Sequence, residues 1–108
     1  MPVVQLLEYD ISKDEERRNK GRKFGNEVMF PYWKKLVEEK DIKVESSNWS
    51  DNTGHKVHWT RFETMEDFAK IWDDERFHQM RARWANFADN ISIRLLRPGL
   101  TVPEDLFK

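Results

Sequence analysis

Lys56-Val57-His58-Trp59-Thr60-Arg61-Phe62 runs directly into Thr64-Met65-Glu66-Asp67-Phe68. The first part alternates β-prone apolar and polar residues, the mark of a half-buried strand. In the second, Thr64 followed three residues later by Asp67 is a variant capping box, in which side-chain oxygens satisfy free amides at a helix start. A strand therefore hands over to a helix within two residues. Phe68, Ile71, Trp72, Phe77, Met80, Trp84 and Phe87 continue that helix. The gap from Trp72 to Phe77 is too long for one helical face, so a break is expected at Asp73-Asp74-Glu75. Ile91 to Arg97 then reads as a last strand, ended by Pro98-Gly99.

Upstream, Val3 to Ile11 is a strand, and Ser12-Lys13-Asp14-Glu15 has the capping-box form with Ser12 as the cap. The helix that follows is polar from Lys13 to Lys23. Its apolar face begins at Phe24 and continues through Val28, Met29, Tyr32, Trp33, Leu36 and Val37. Pro31 interrupts that pattern, so a kink or break is expected there. Ile42 to Ser50 and Lys56 to Phe62 form a hairpin around the turn cluster Asp51-Asn52-Thr53-Gly54.

The order is β-α-β-β-α-β, the ferredoxin-like α+β arrangement, with an antiparallel sheet and both helices on one face. Residues 1–108 are one domain by length, with 98–108 as a C-terminal arm carrying Leu106 and Phe107. On the first strand, Val3, Gln5, Leu7, Tyr9 and Ile11 share one face, and Val4, Leu6, Glu8 and Asp10 the other. Neither face is wholly polar. The second face therefore needs cover, and a second copy of the chain supplies it most simply. A homodimer with sheets packed face to face is the expectation.

Charged residues make up 36% of the chain and apolar residues 38%, yet 5 Trp and 7 Phe provide a core of few, large side chains. Net charge is -1, from 19 basic and 20 acidic residues, so no global field draws nucleic acid or an anionic membrane. The basic residues Lys13 to Lys23 are interrupted by Asp14, Glu15 and Glu16 and read as a solvated face. Cysteine is absent, which excludes disulfides and thiolate chemistry. The opening residues show no basic region followed by a long apolar run, and no stretch reaches membrane-spanning length. A cytoplasmic protein is expected.

His58 is the residue best suited to chemistry, since an imidazole in an aromatic pocket serves as a general base near neutral pH. The plainer reading is a histidine paired inside the sheet. Tyr32, Trp33, Trp72 and Trp84 sit at core spacing. As a group they would also suit a flat aromatic ligand, with Trp N–H and Tyr O–H as hydrogen-bond donors. On an extended strand His55 and His58 point to opposite sides, so a two-histidine metal site fails on geometry and no metal is expected. Asp74 and His78 read as a surface pair, and Arg61, with Glu8 or Asp10 as partner, as part of a barrel-interior ion pair across the dimer.

The strand Val57 to Phe62, the turn Glu63 to Phe68, the Trp72-Asp73-Asp74-Glu75-Arg76-Phe77 break and the closing Arg94-Leu95-Leu96-Arg97-Pro98 resemble the dimeric α/β-barrel superfamily. Within it the chain is most similar to NIPSNAP-like proteins. The resemblance implies two ferredoxin-like protomers packed into one barrel. It also implies an activity class that includes cofactor-free monooxygenases, polyketide cyclases, haem-degrading enzymes and small proteins with no assigned role. The haem-degrading branch uses an Asn on the first strand, with a Trp and a His about ten residues apart. Trp72 matches, but the downstream position is Ala82 and the first strand has no Asn, so haem is disfavoured; His78 is what remains of that pattern.

The expectation is a homodimer that binds a small apolar or aromatic molecule and needs no cofactor. His58 is its candidate catalytic residue, and Tyr32, Trp33, Trp72, Trp84 and His78 line its site. The alternative is a non-catalytic dimeric binding or interaction module whose aromatics are all core.

Overall fold

The computed structural model describes residues 2–98. All but the first residue of the expected C-terminal arm, Leu106 and Phe107 included, lies outside the described residues. Strand β1 (Val3–Ile11) is followed by α1 (Glu15–Phe24), a π-helical turn (Gly25–Met29) and α2 (Phe30–Glu39). Strands β2 (Val44–Ser50) and β3 (His55–Phe62) form the hairpin. Next come α3 (Met65–Trp72), α4 (Glu75–Trp84), a 3-10 turn (Ala85–Phe87) and β4 (Ala88–Leu96). The sheet runs β2-β3-β1-β4 with every pairing antiparallel. This is the expected ferredoxin-like α+β fold, each of its two helical segments broken once. No helix among the described residues is long and apolar enough to cross a membrane.

The breaks have local causes. A proline ring at position 31 would collide with the carbonyl of Glu27 in a regular helix. The turn widens instead, and the Phe30 N–H donates to the Gly25 carbonyl, five residues back. In the second segment, Asp74 restarts the helix by accepting from the Arg76 N–H at 2.8 Å. Thr64 Oγ1 accepts from the Asp67 N–H at 3.1 Å, as its spacing predicts. The first cap lies two residues beyond its expected place. Asp14, not Ser12, accepts from the Arg17 N–H at 2.8 Å, while the Ser12 hydroxyl is buried and accepts from the Asp14 N–H.

Val3, Leu36, Ile42, Phe62, Ile71 and Phe77 form the core. Register places it at one end of the sheet, because Val3 lies opposite Phe62 and Phe62 opposite Val44. Over the other half, Gly21 of α1 and Gly25 of the π-helical turn face the cavity. A Cβ at Gly21 would lie 2.8 Å from Phe87 Cβ, so only glycine lets α1 seat this closely on the 3-10 turn. Around the Cβ position of Gly25 there is no atom within 4 Å. The layers are therefore in contact at the core end and leave a cavity at the other. Arg17 fastens α1 beside it, donating to the Asn86 carbonyl at 2.9 Å and pairing with Asp89 at 2.8 Å.

The sheet face away from the helices carries Val4, Leu6, Val57 and Trp59, flanked by Trp49 at 64% exposure and Leu96 at 44%. Its polar end is a small network. His55 Nδ1 donates to Asp10 at 2.7 Å, Asn90 donates to Asp10 at 2.8 Å, and Arg94 pairs with Glu8 at 3.1 Å. Arg61, the expected partner of these carboxylates, lies opposite Val4 and Glu45, toward the far end of the strand.

Candidate functional site

Between the sheet and α1, α2 and α4 lies a cavity of about 440 Å³, within the range of roughly 300–1,000 Å³ typical of small-molecule sites. Its floor is the sheet, where alternation brings Gln5, Leu7 and Tyr9 of β1 beside His58 and Thr60 of β3. Its roof is Gly21 and Gly25 with Met29 and Trp33, and Phe77, Arg81 and Trp84 of α4 close one side.

His58 Nε2 lies 3.1 Å from the Tyr9 hydroxyl. The Tyr9 ring meets Trp84 edge-on at 4.8 Å, so this strand pair and α4 meet at one point of the wall. Burial pushes the His58 imidazole below its ordinary value of 6.5, and the charge on Lys56 acts in the same direction. Burial pushes the Tyr9 phenol above 10.0. At neutral pH both groups are uncharged. The Tyr9 O–H then donates to a basic Nε2, which is the resting state of a proton acceptor.

The structure brings His58, Trp33 and Trp84 together in this wall and places Tyr32, Trp72 and His78 outside it. Tyr32 sits on the far side of α2 beside Pro31 and Met80, its hydroxyl buried without a partner among the described residues. Trp72 stacks on Phe68 at 5.5 Å and carries the Arg81 guanidinium 4.2 Å above its ring. His78 accepts at Nδ1 from Arg81 Nη2 at 3.0 Å. Trp72 and His78 thus buttress Arg81 from behind. The expected Asp74–His78 pair is replaced: Lys40 at 3.1 Å and Arg76 at 2.8 Å hold the Asp74 carboxylate. Arg76 foremost keeps it far below the usual carboxylate range.

Sequence reasoning passed over Tyr9 and Arg81. Tyr9 shares the helix-side face of β1 with Leu7, and the β1–β3 register makes it a diagonal neighbour of His58. Arg81 lies one helical turn before Trp84 on the same face of α4. His55 and His58 point to opposite sides of the sheet, His55 toward Asp10 and Glu8 and His58 into the cavity. Among the described residues no three His, Cys, Asp or Glu side chains form a group able to hold a metal ion.

The two histidines titrate in opposite directions. Hydrogen bonds to Asp10 and Glu8 raise His55 above 6.5, whereas burial lowers His58. Folding therefore binds a proton more tightly at His55, a contribution present below the ordinary value and lost as pH rises through the raised one. At His58 the unfolded chain binds the proton better, so stability falls as pH drops from 6.5 toward the lowered value. Titrating the imidazole Cε1–H signals by NMR should give one midpoint above 6.5 for His55 and one below it for His58. The reverse order would remove both assignments.

A four-stranded antiparallel sheet, broken helices on one face and a cavity between the layers define a ferredoxin-like α+β fold. Solved proteins share that fold across nearly the whole chain. A NIPSNAP family protein from Agrobacterium tumefaciens is 13% identical, with a TM-score of 0.61 over 91% of this chain and 86% of its own. A monooxygenase from the ActVA-Orf6 gene of Streptomyces coelicolor, solved with nanaomycin D, is 9% identical, with a TM-score of 0.63 over 94% and 92%. A protein from Mycobacterium tuberculosis is 12% identical, with a TM-score of 0.66 over 95% and 100%. No protein-family model matches the chain, and no curated protein does. The sequence resemblance to NIPSNAP-like proteins thus extends to three dimensions, as a likeness of fold.

Proposed function

We propose that the chain is a homodimer binding a small, flat, largely apolar or aromatic metabolite in the cavity, and that His58 acts there as the base of a cofactor-free oxygenation or cyclisation. The observation that carries this reading is the His58–Tyr9 pair set in the wall of a cavity large enough for a ring system. The nanaomycin D complex of a monooxygenase of the same fold supports the ligand class.

The step needs little. A substrate hydroxyl or activated C–H gives its proton to the Tyr9 oxygen as Tyr9 passes its own to His58 Nε2. The products are a substrate anion, a neutral phenol and an imidazolium. Tyr9 then donates to the anion it has helped to form; Tyr32, a candidate donor by sequence, lies outside the cavity. The anion reacts with dioxygen from solution, or with an electrophile elsewhere in the same molecule.

The rival reading, a non-catalytic dimeric binding module, draws on the same bond: an imidazole already paired with Tyr9 is a complete structural contact. Oxygen uptake with a panel of anthrones and naphthohydroquinones separates the two. Replacing His58 with Gln is expected to lower the rate about 10²-fold, the low end for loss of a general base, with the thermal midpoint little changed. An undiminished rate would remove His58 as the base, and no uptake by the unaltered protein with any of the panel would leave only the binding module.

A further inference from the structure

The charged residues of the cavity wall are of one sign. Arg18, Arg22, Lys56 and Arg81 line it, and no aspartate or glutamate does, in a chain with 20 acidic and 19 basic residues. None of the four has an ion pair among the described residues, whereas Arg17, Lys20, Lys40, Lys70, Arg76 and Arg94 each pair with a carboxylate. Lys13, Lys23, Lys34, Lys35 and Lys43 are likewise unpaired, but they are exposed to water. Arg18 reaches only the Ser12 carbonyl, at 3.4 Å. Arg81 has His78 on Nη2 and Trp72 beneath its plane, and its Nη1 is buried without an acceptor.

An uncompensated guanidinium in a half-buried wall is costly unless something completes it. The rings of Trp72 and Phe77, 4.2 Å and 5.9 Å from the Arg81 guanidinium carbon, take the place of water on those sides. The chain could have satisfied Arg81 with a single Asp or Glu on β1 or β3; it places Gln5, Leu7 and Thr60 there instead. Arg18 and Arg22, four apart on α1, stand on the glycine side of that helix where the cavity is open, and Lys56 faces them from the sheet end beside Tyr9.

We infer that the ligand is an aromatic carboxylic acid, bound as its anion, with the carboxylate completing Arg81 and the ring lying against Trp33 and Trp84. Arg18, Arg22 and Lys56 raise the local concentration of the anion at the entrance. The inference rests on the cavity being the ligand site and adds the charge of its ligand. It also gives Trp72 and His78 a task, that of holding the guanidinium against the wall.

The probes are 2-naphthoate and its uncharged isostere 2-naphthamide, titrated calorimetrically into the intact chain at low ionic strength. The acid is expected to bind at least about tenfold tighter than the amide, and Arg81→Gln to shrink that ratio to about twofold, as for a lost charge-assisted hydrogen bond. Because Arg81 packs on Trp72, a second variant guards against misfolding. Arg22 is exposed, and Arg22→Gln should weaken the acid measurably while leaving the amide unchanged. Equal binding of acid and amide by the unaltered protein, or a preference that survives Arg81→Gln, would overturn the inference while the cavity remains the ligand site. Binding of neither probe would remove both.

Discussion

Phe62→Ala is expected to cost about 3–5 kcal/mol, the range for truncating a fully buried aromatic. Phe62 is 0% exposed, and four elements converge on it. Val3 and Val44 flank it in the sheet, Phe68 meets it edge-on at 5.5 Å, and Trp33 lies at 6.4 Å. Helices α2 and α3 are therefore docked on one ring at the end of β3. Small domains have only about 5–15 kcal/mol in total, so this single change removes a large fraction of it. Urea unfolding followed by tryptophan fluorescence would show the midpoint fall. Phe62→Leu, which keeps most of the volume, should cost under about 1.5 kcal/mol. A loss for Ala no greater than for Leu would mean that the core is not centred on this residue.

The strand-to-helix unit around Phe62 was readable because its signals are local. Alternation over Val57 to Phe62 and a side-chain oxygen at Thr64 act within a few residues of where they appear. The misplaced boundaries have non-local causes. Strand β4 begins at Ala88 rather than Ile91, although Asp89 and Asn90 look like loop residues. They are held in the strand by Arg17 and Asp10, which are distant in sequence, and Asn90 takes a positive φ of 54° where the β1–β4 register shifts. Ile42 looked like strand and is core, buried before β2 begins at Val44.

The site was legible only in part, for a related reason. Helical spacing picks out a buried stripe but does not separate its core end from its cavity end. Trp33 and Trp84 reach the cavity while Trp72 and Tyr32, on equally good spacing, do not. Tyr9 needed the β1–β3 register, which no single strand reveals. Arg81 needed the knowledge that its neighbours include no carboxylate. One trace of the cavity was present from the start: Gly21 and Gly25, four apart in a helix otherwise rich in long side chains. Gly21 lets the helix seat closely on Phe87, and Gly25 marks where it leaves a space.

Leu6→Glu is expected to convert the proposed homodimer to monomer, raising its dissociation constant by about 10³-fold or more. Leu6 lies near the middle of the open sheet face, opposite Trp59 on β3, with the Val4–Leu96 and Trp49–Val57 pairs on either side. Burying an unpaired carboxylate costs several kcal/mol, and each 1.4 kcal/mol is about tenfold in affinity. A twofold axis would place the change on both sides of the interface. In the separated chain the new carboxylate lies opposite Arg94 and in contact with water, so the fold itself should survive, with its circular dichroism unchanged. Lys35→Glu, on the exposed side of α2, should leave the dimer intact. Sedimentation equilibrium at micromolar concentration decides the matter. If the unaltered chain sediments as a monomer, the apolar face has another occupant, and the barrel is not formed by two copies of this chain.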